Sequence, residues 1–131
     1  MADNIQEQIE DKIIDLIALG SGGRLVVFKP ENSAKSLIVE KKGDYKKDSI
    51  SLKVCNVEGE NFSQAAGKSN PEDNFYLVFV RFDIVAQDID DALWVVPSFD
   101  VQGALVEKDF FKFLINKKEF VRFLIDALLK K

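Results

Sequence analysis

The sequence predicts an α+β domain built from an N-terminal helix, a mixed five-stranded sheet and C-terminal helices. Three observations carry that prediction. Apolar residues recur at helical spacing near both ends, β-branched runs bounded by turn residues fill the middle, and the order runs helix, three strands, long loop, two strands, helices. With 131 residues, of which 47% are hydrophobic and 31% charged, the chain suits one globular domain spanning residues 1–131 and carries no disordered signature.

Ile5, Ile9 and Ile13, with Leu16 and Ile17, recur at helical spacing while Glu7, Asp11 and Asp15 fall on other faces. Residues 4–19 therefore form an amphipathic helix, with Asp3 or Asn4 as its cap. Gly20-Ser21-Gly22-Gly23 stops it. That run follows a helix and precedes a strand, the reverse of the order that glycine-rich anion loops use, so it is read as a helix stop. Leu25 to Phe28 make a short strand ended by the turn Lys29-Pro30-Glu31-Asn32. Ser36–Lys42 and Ser49–Val57 then form a hairpin around Gly43-Asp44-Tyr45. In its second strand Ile50, Leu52 and Val54 share one face, leaving Ser51, Lys53 and Cys55 on the other.

A polar loop from Glu58 to Asn74 leads to Phe75–Val85, which is apolar almost throughout, as a central strand buried on both faces would be. An aspartate-rich loop, Gln87–Asp91, joins it to Leu93-Trp94-Val95-Val96, and Pro97 ends that strand. These two strands are expected to pair antiparallel. The rest reads as helical: Phe110, Phe113 and Leu114 in one segment, then Phe120, Leu124 and Leu128 beside Val121 and Ile125 in the last helix. Such an aromatic stripe is read as core, with a cofactor box or a dimer seam as the alternatives.

The formal charge of −4 argues against a strongly basic nucleic-acid binder. Its distribution is patterned: acidic through residue 23, basic over 29–53, acidic over 58–91 and basic again over 108–131. Lys41, Lys42, Lys46 and Lys47 either solvate a hairpin tip or supply weak nucleic-acid contacts. No apolar run is long enough for a membrane span, and the acidic, amphipathic N-terminus differs from a signal peptide, so a cytoplasmic protein without membrane contact is expected. The single cysteine cannot form an internal disulfide, and the absence of histidine removes histidine triads and the usual zinc sites.

Two phrases, SAKSLIVEKKGDYKKDSISLKVCN and FYLVFVRFDIVAQDIDDALWVVPS, carry a likeness to a known family. From Ile5 to its end the chain resembles small bacterial members of the PD-(D/E)xK, or restriction-endonuclease-like, superfamily. The resemblance implies a nuclease core in which an acid opens the second strand, while an acid and a lysine sit two residues apart on the third. In such nucleases the acids hold Mg²⁺ and the lysine orients or activates the attacking water. Carried over, these positions fall on Ser36, Lys53 and Cys55. A hydroxyl is a feeble ligand for a hard cation, an ammonium repels it, and a thiol is too soft a donor.

The pattern therefore implies a catalytically degenerate nuclease without a cofactor, acting as a binding or structural module that holds a protein partner or a second copy. Displaced residues give the alternative of a Mg²⁺-dependent endonuclease or a DNA-binding protein. There Glu40 would replace the lost acid, Lys53 would be the lysine, and Glu7 or Glu10 would add a helical carboxylate. Cys55 beside Lys53 is read as a small semi-buried hydrophobe, or as a thiol made reactive by the neighbouring ammonium. The Asp88–Asp91 loop lacks the glycine and distal glutamate of a calcium loop and is assigned no metal.

Overall fold

The isoleucine stripe winds into helix α1 (Asp3–Gly20). The structure is a computed structural model and describes residues 3–31, 35–43, 48–57, 62–67, 71–101 and 111–129. Ile9, Ile13 and Ile17 stand one turn apart and are fully buried, as their spacing requires. The glycine run ends α1 in a Schellman turn. The Gly22 N–H donates to the Leu19 carbonyl at 3.1 Å and the Gly23 N–H to the Ala18 carbonyl at 2.9 Å. Gly22 and Gly23 have φ of 64° and 78°, which glycine adopts without the strain a side chain would bring.

The chain continues through β1 (Leu25–Phe28), β2 (Leu37–Lys41), β3 (Ser49–Asn56), α2 (Phe62–Ala66) and β4 (Phe75–Val80). After these come β5 (Phe82–Asp83), β6 (Asp88–Ile89), β7 (Ala92–Pro97), a 3-10 turn at Ser98–Asp100, β8 (Leu114–Asn116) and α3 (Lys117–Leu129). The first three strands form an antiparallel meander. The segment carrying α2 then returns the chain to β4, parallel to β3, while β7 lies antiparallel to β4 as expected.

Among the described residues the sheet has six strands, in the order β1-β2-β3-β4-β7-β8, where the sequence predicts five. The additional strand is β8, in a segment read as helical. Leu114 and Ile115 are extended against Trp94 and Leu93, and Asn116 then caps α3. Its Oδ1 accepts from the Glu119 N–H at 2.7 Å, while Glu119 Oε1 accepts from the Asn116 N–H at 3.1 Å. This capping box makes Lys117 the first helical residue of α3; of the other expected helical segment, Phe113 lies in a 3-10 turn over residues 111–113, Leu114 in β8, and Phe110 outside the described residues.

The Phe75–Val85 run is also divided. β4 ends at Val80, and β5 turns away to pair with β6 in a separate hairpin. Asp83 Oδ1 forces the turn by accepting from the N–H groups of Val85 at 2.9 Å and Ala86 at 3.2 Å. Within the long polar loop, Phe62–Ala66 forms the short α2.

Alternation along the strands builds two cores. Helices α1 and α3 cover the face carrying Leu37, Val39, Ile50, Leu52, Val54, Val78 and Val95. Phe62 and Ala66 of α2 pack on the other face with Cys55, Phe75, Leu77, Phe79, Trp94 and Val96. α1 meets α3 at Gly20, where an added Cβ would lie 2.9 Å from Val121 Cγ1 and 3.0 Å from its Cγ2. The β-branched Val121 has little rotameric freedom in a helix, so it cannot easily yield. Gly20→Ala is therefore expected to destabilise the protein by about 1–3 kcal/mol through overpacking. Urea denaturation checks this, and the penalty should largely disappear in a Val121→Ala background.

Candidate functional site

β2 and β3 bring the sequence-predicted positions onto one face. Ile38 pairs with Ser51 in register, so the Ser36–Ile38–Glu40 face and the Ser51–Lys53–Cys55 face are the same side of the sheet, the side that α2 covers. Ser36 is committed to the ladder. Its N–H donates to the Leu52 carbonyl at 2.8 Å, and its Oγ accepts from the Val54 N–H at 3.0 Å. Lys53 reaches across to α2, where Nζ donates to the Ala66 carbonyl at 2.5 Å. Gly67, at φ of 62°, lies beside that ammonium; a Cβ there would sit 3.5 Å from Nζ.

Cys55 is 3% exposed within the second core. Burial pushes its thiol up to about 12 against the opposing pull of the Lys53 charge. The reading of a thiol activated by Lys53 is thereby corrected, because desolvation outweighs the ammonium and keeps the sulfur neutral at ordinary pH.

The displaced carboxylates do not converge on Lys53. Glu40 pairs with Ser49, four residues along β3 from Lys53, which at strand rise is about 13 Å. α1 packs on the opposite face of the sheet, so the sheet stands between its glutamates and Lys53. Glu7 is exposed, and Glu10 accepts from Gln6 Nε2 at 3.0 Å and lies 3.7 Å from Lys29 Nζ. Burial alone would lower the pKa of Lys29, but the hydrogen bond and charge of Asp11, 3.1 Å away, with Glu10 and Glu7, hold it above its ordinary value. Among the described residues no three carboxylate or thiol side chains gather as a metal site. Lys41 and Lys42 are exposed at the end of β2, whereas Lys46 and Lys47 lie outside the described residues.

A second site was not predicted. Beside α3 the sheet face opens into a groove of about 1160 Å³, with Leu16, Tyr76, Val95, Ile115 and Phe123 among its apolar walls. Tyr76 and Phe123 meet edge to face at 5.1 Å and fix one wall. Lys112, Lys117, Lys118 and Arg122 line it together with Asp91, Glu119 and Asp126. Its residues come from both ends and the middle of the chain, so no local motif announces it. The nearest sequence signal is the basic, phenylalanine-rich C-terminal segment. An apolar groove with charged walls suits an amphipathic partner.

No helix among the described residues is long and apolar enough to cross a membrane. No protein-family model matches the chain, and no curated protein or solved structure is significantly similar to it.

Proposed function

We propose that this chain is a restriction-endonuclease-like domain that has lost catalysis and works as a binding module. The observation that carries the reading is the state of the three positions where the resemblance places two acids and a lysine. The Ser36 hydroxyl is spent on the Val54 N–H, the Lys53 ammonium on the Ala66 carbonyl, and Cys55 is a buried neutral thiol. Phosphodiester cleavage of this kind needs a Lewis acid near the scissile phosphate, and these three groups do not hold a hard cation. Support for the nuclease-like architecture comes from the element order: one helix, three antiparallel strands, then a crossover through α2 to a strand parallel with the third.

The test is incubation of purified protein with supercoiled and linear DNA in the presence of Mg²⁺ or Mn²⁺. The expected result is no cleavage above a buffer control. Cleavage abolished by Lys53→Ala or Glu40→Ala would overturn the inactive reading and restore the displaced-residue nuclease. A second reading, DNA binding without cleavage, is favoured by the exposure of Lys41 and Lys42. Gel retardation at low salt on the same samples separates it from protein binding.

A further inference from the structure

β1 is the outermost strand of the sheet, so one side of its backbone has no neighbouring strand among the described residues. The ladder fixes which groups face outward. The Lys42 N–H donates to the Arg24 carbonyl at 2.9 Å, and by alternation the N–H and C=O groups of Val26 and Phe28 also point to β2. Across a planar trans peptide the two groups point opposite ways, which turns the Leu25 C=O, both groups of Val27 and the Lys29 N–H toward the open edge. The Leu25 N–H is already used, donating to Ser21 Oγ at 3.2 Å. Two acceptors and two donors are left, without a partner among the described residues.

That set is its own complement. About a two-fold axis through Val27, the Val27 N–H of each copy would donate to the Val27 C=O of the other, and the Lys29 N–H of each to the Leu25 C=O of the other. All four groups on both edges are then satisfied, and the ladder ends where the Ser21 hydroxyl has taken the Leu25 N–H. The side chains agree with this register. It sets Val26 opposite Phe28 of the second copy, twice over, on the face that carries Ile38 and Glu40. There α2 and its core reach only as far as β3, and Val26 and Phe28 stay 39% and 43% exposed. An aromatic residue across from a β-branched one is a favourable cross-strand pair. The strand also lacks what keeps solitary edges apart, since Leu25–Phe28 contains no charge, proline or bulge.

We propose that two copies of this chain pair β1 with β1 antiparallel, Val27 on the two-fold axis, and so join their sheets into one. The proposal rests on the binding-module reading and names its partner as a second copy.

Sedimentation velocity of the full chain from low micromolar to submillimolar concentration tests it, a wide range because two short strands make a small interface. A concentration-dependent dimer is expected, and hydrogen exchange at the Val27 and Lys29 amides should slow as it forms. Val26→Lys and Phe28→Glu should each weaken the dimer about tenfold or more. Both positions are on the exposed face, so the circular dichroism spectrum and thermal midpoint should not change. An equimolar mixture of the two variants should dimerise again, because the register brings the opposite charges face to face. Protein that stays monomeric throughout, a dimer indifferent to both substitutions, a mixture no better than either variant alone, or a dimer whose Val27 amide exchanges as in the monomer would each overturn the pairing. DNA cleavage would overturn the binding-module reading and leave this measurement in force; a monomer that cleaves nothing would overturn the pairing alone.

Discussion

Replacing Phe62 with alanine is expected to lower the unfolding free energy by about 3–5 kcal/mol. The side chain is fully buried at the start of α2 and meets Phe79 and Trp94 edge to face, at ring-centroid distances of 5.3 Å and 5.1 Å. α2 has five residues, far too few to be helical without tertiary packing, so its hold on the sheet depends on this anchor. Alanine would leave a cavity between α2 and the sheet and free the helix whose Ala66 carbonyl receives Lys53. Against a total stability of about 5–15 kcal/mol for an ordinary domain, that loss is about a fifth or more. Urea unfolding followed by fluorescence measures it directly, because Trp94 is the only tryptophan and touches Phe62. Phe111→Ala serves as the control: that ring is 73% exposed, and its loss should stay within about 0.5 kcal/mol. A Phe62→Ala cost below about 1 kcal/mol would mean that α2 is not anchored by this residue.

The elements legible in the sequence are those whose periodicity runs long enough to choose between helix and strand. The isoleucine stripe of α1 and the alternation in β3 did so, and the latter separated Ile50, Leu52 and Val54, which the fold sets against α1 and α3, from Cys55, which lies in the opposite core. α2 was hidden because five residues make barely more than one turn. β4 and β5 read as one strand because Phe75–Val85 has no glycine or proline inside it; the chain leaves the sheet at Arg81, and the Asp83 side chain then holds the turn between β5 and β6. For β8, three extended residues ahead of a helix look helical until Asn116 and Glu119 are read as a capping box.

The same limit applied to function. The spacing of Lys53 and Cys55 was visible, but the destination of the Lys53 ammonium was not, since its acceptor lies in the unseen α2. The groove was less legible still, because Leu16, Tyr76 and Phe123 become neighbours only through the fold.

Cys55 should give the protein an alkaline limb of instability that Cys55→Val removes. Burial raises its thiol from the ordinary 9.0 to about 12, so the native state keeps the proton over a range where the unfolded chain has released it. Below pH 9 both states are protonated and the group adds no pH dependence. Between 9 and 12 the unfolded state binds fewer protons, so stability falls as pH rises. At about 1.4 kcal/mol per unit over that window, the fall attributable to this thiol approaches about 4 kcal/mol. Lysines and tyrosines titrate in the same range, but they are common to both proteins, so the difference between the two stability curves isolates the cysteine. Valine preserves an apolar side chain of similar size in the core and has nothing to ionise. The measurement is urea unfolding of both proteins from pH 7 to 11, joined by thiol labelling near neutrality, where native Cys55 should react only through unfolding. Parallel curves with rapid labelling of folded protein would instead mean a solvent-reached thiolate beside Lys53. The chemistry set aside at this strand would then have to be reopened.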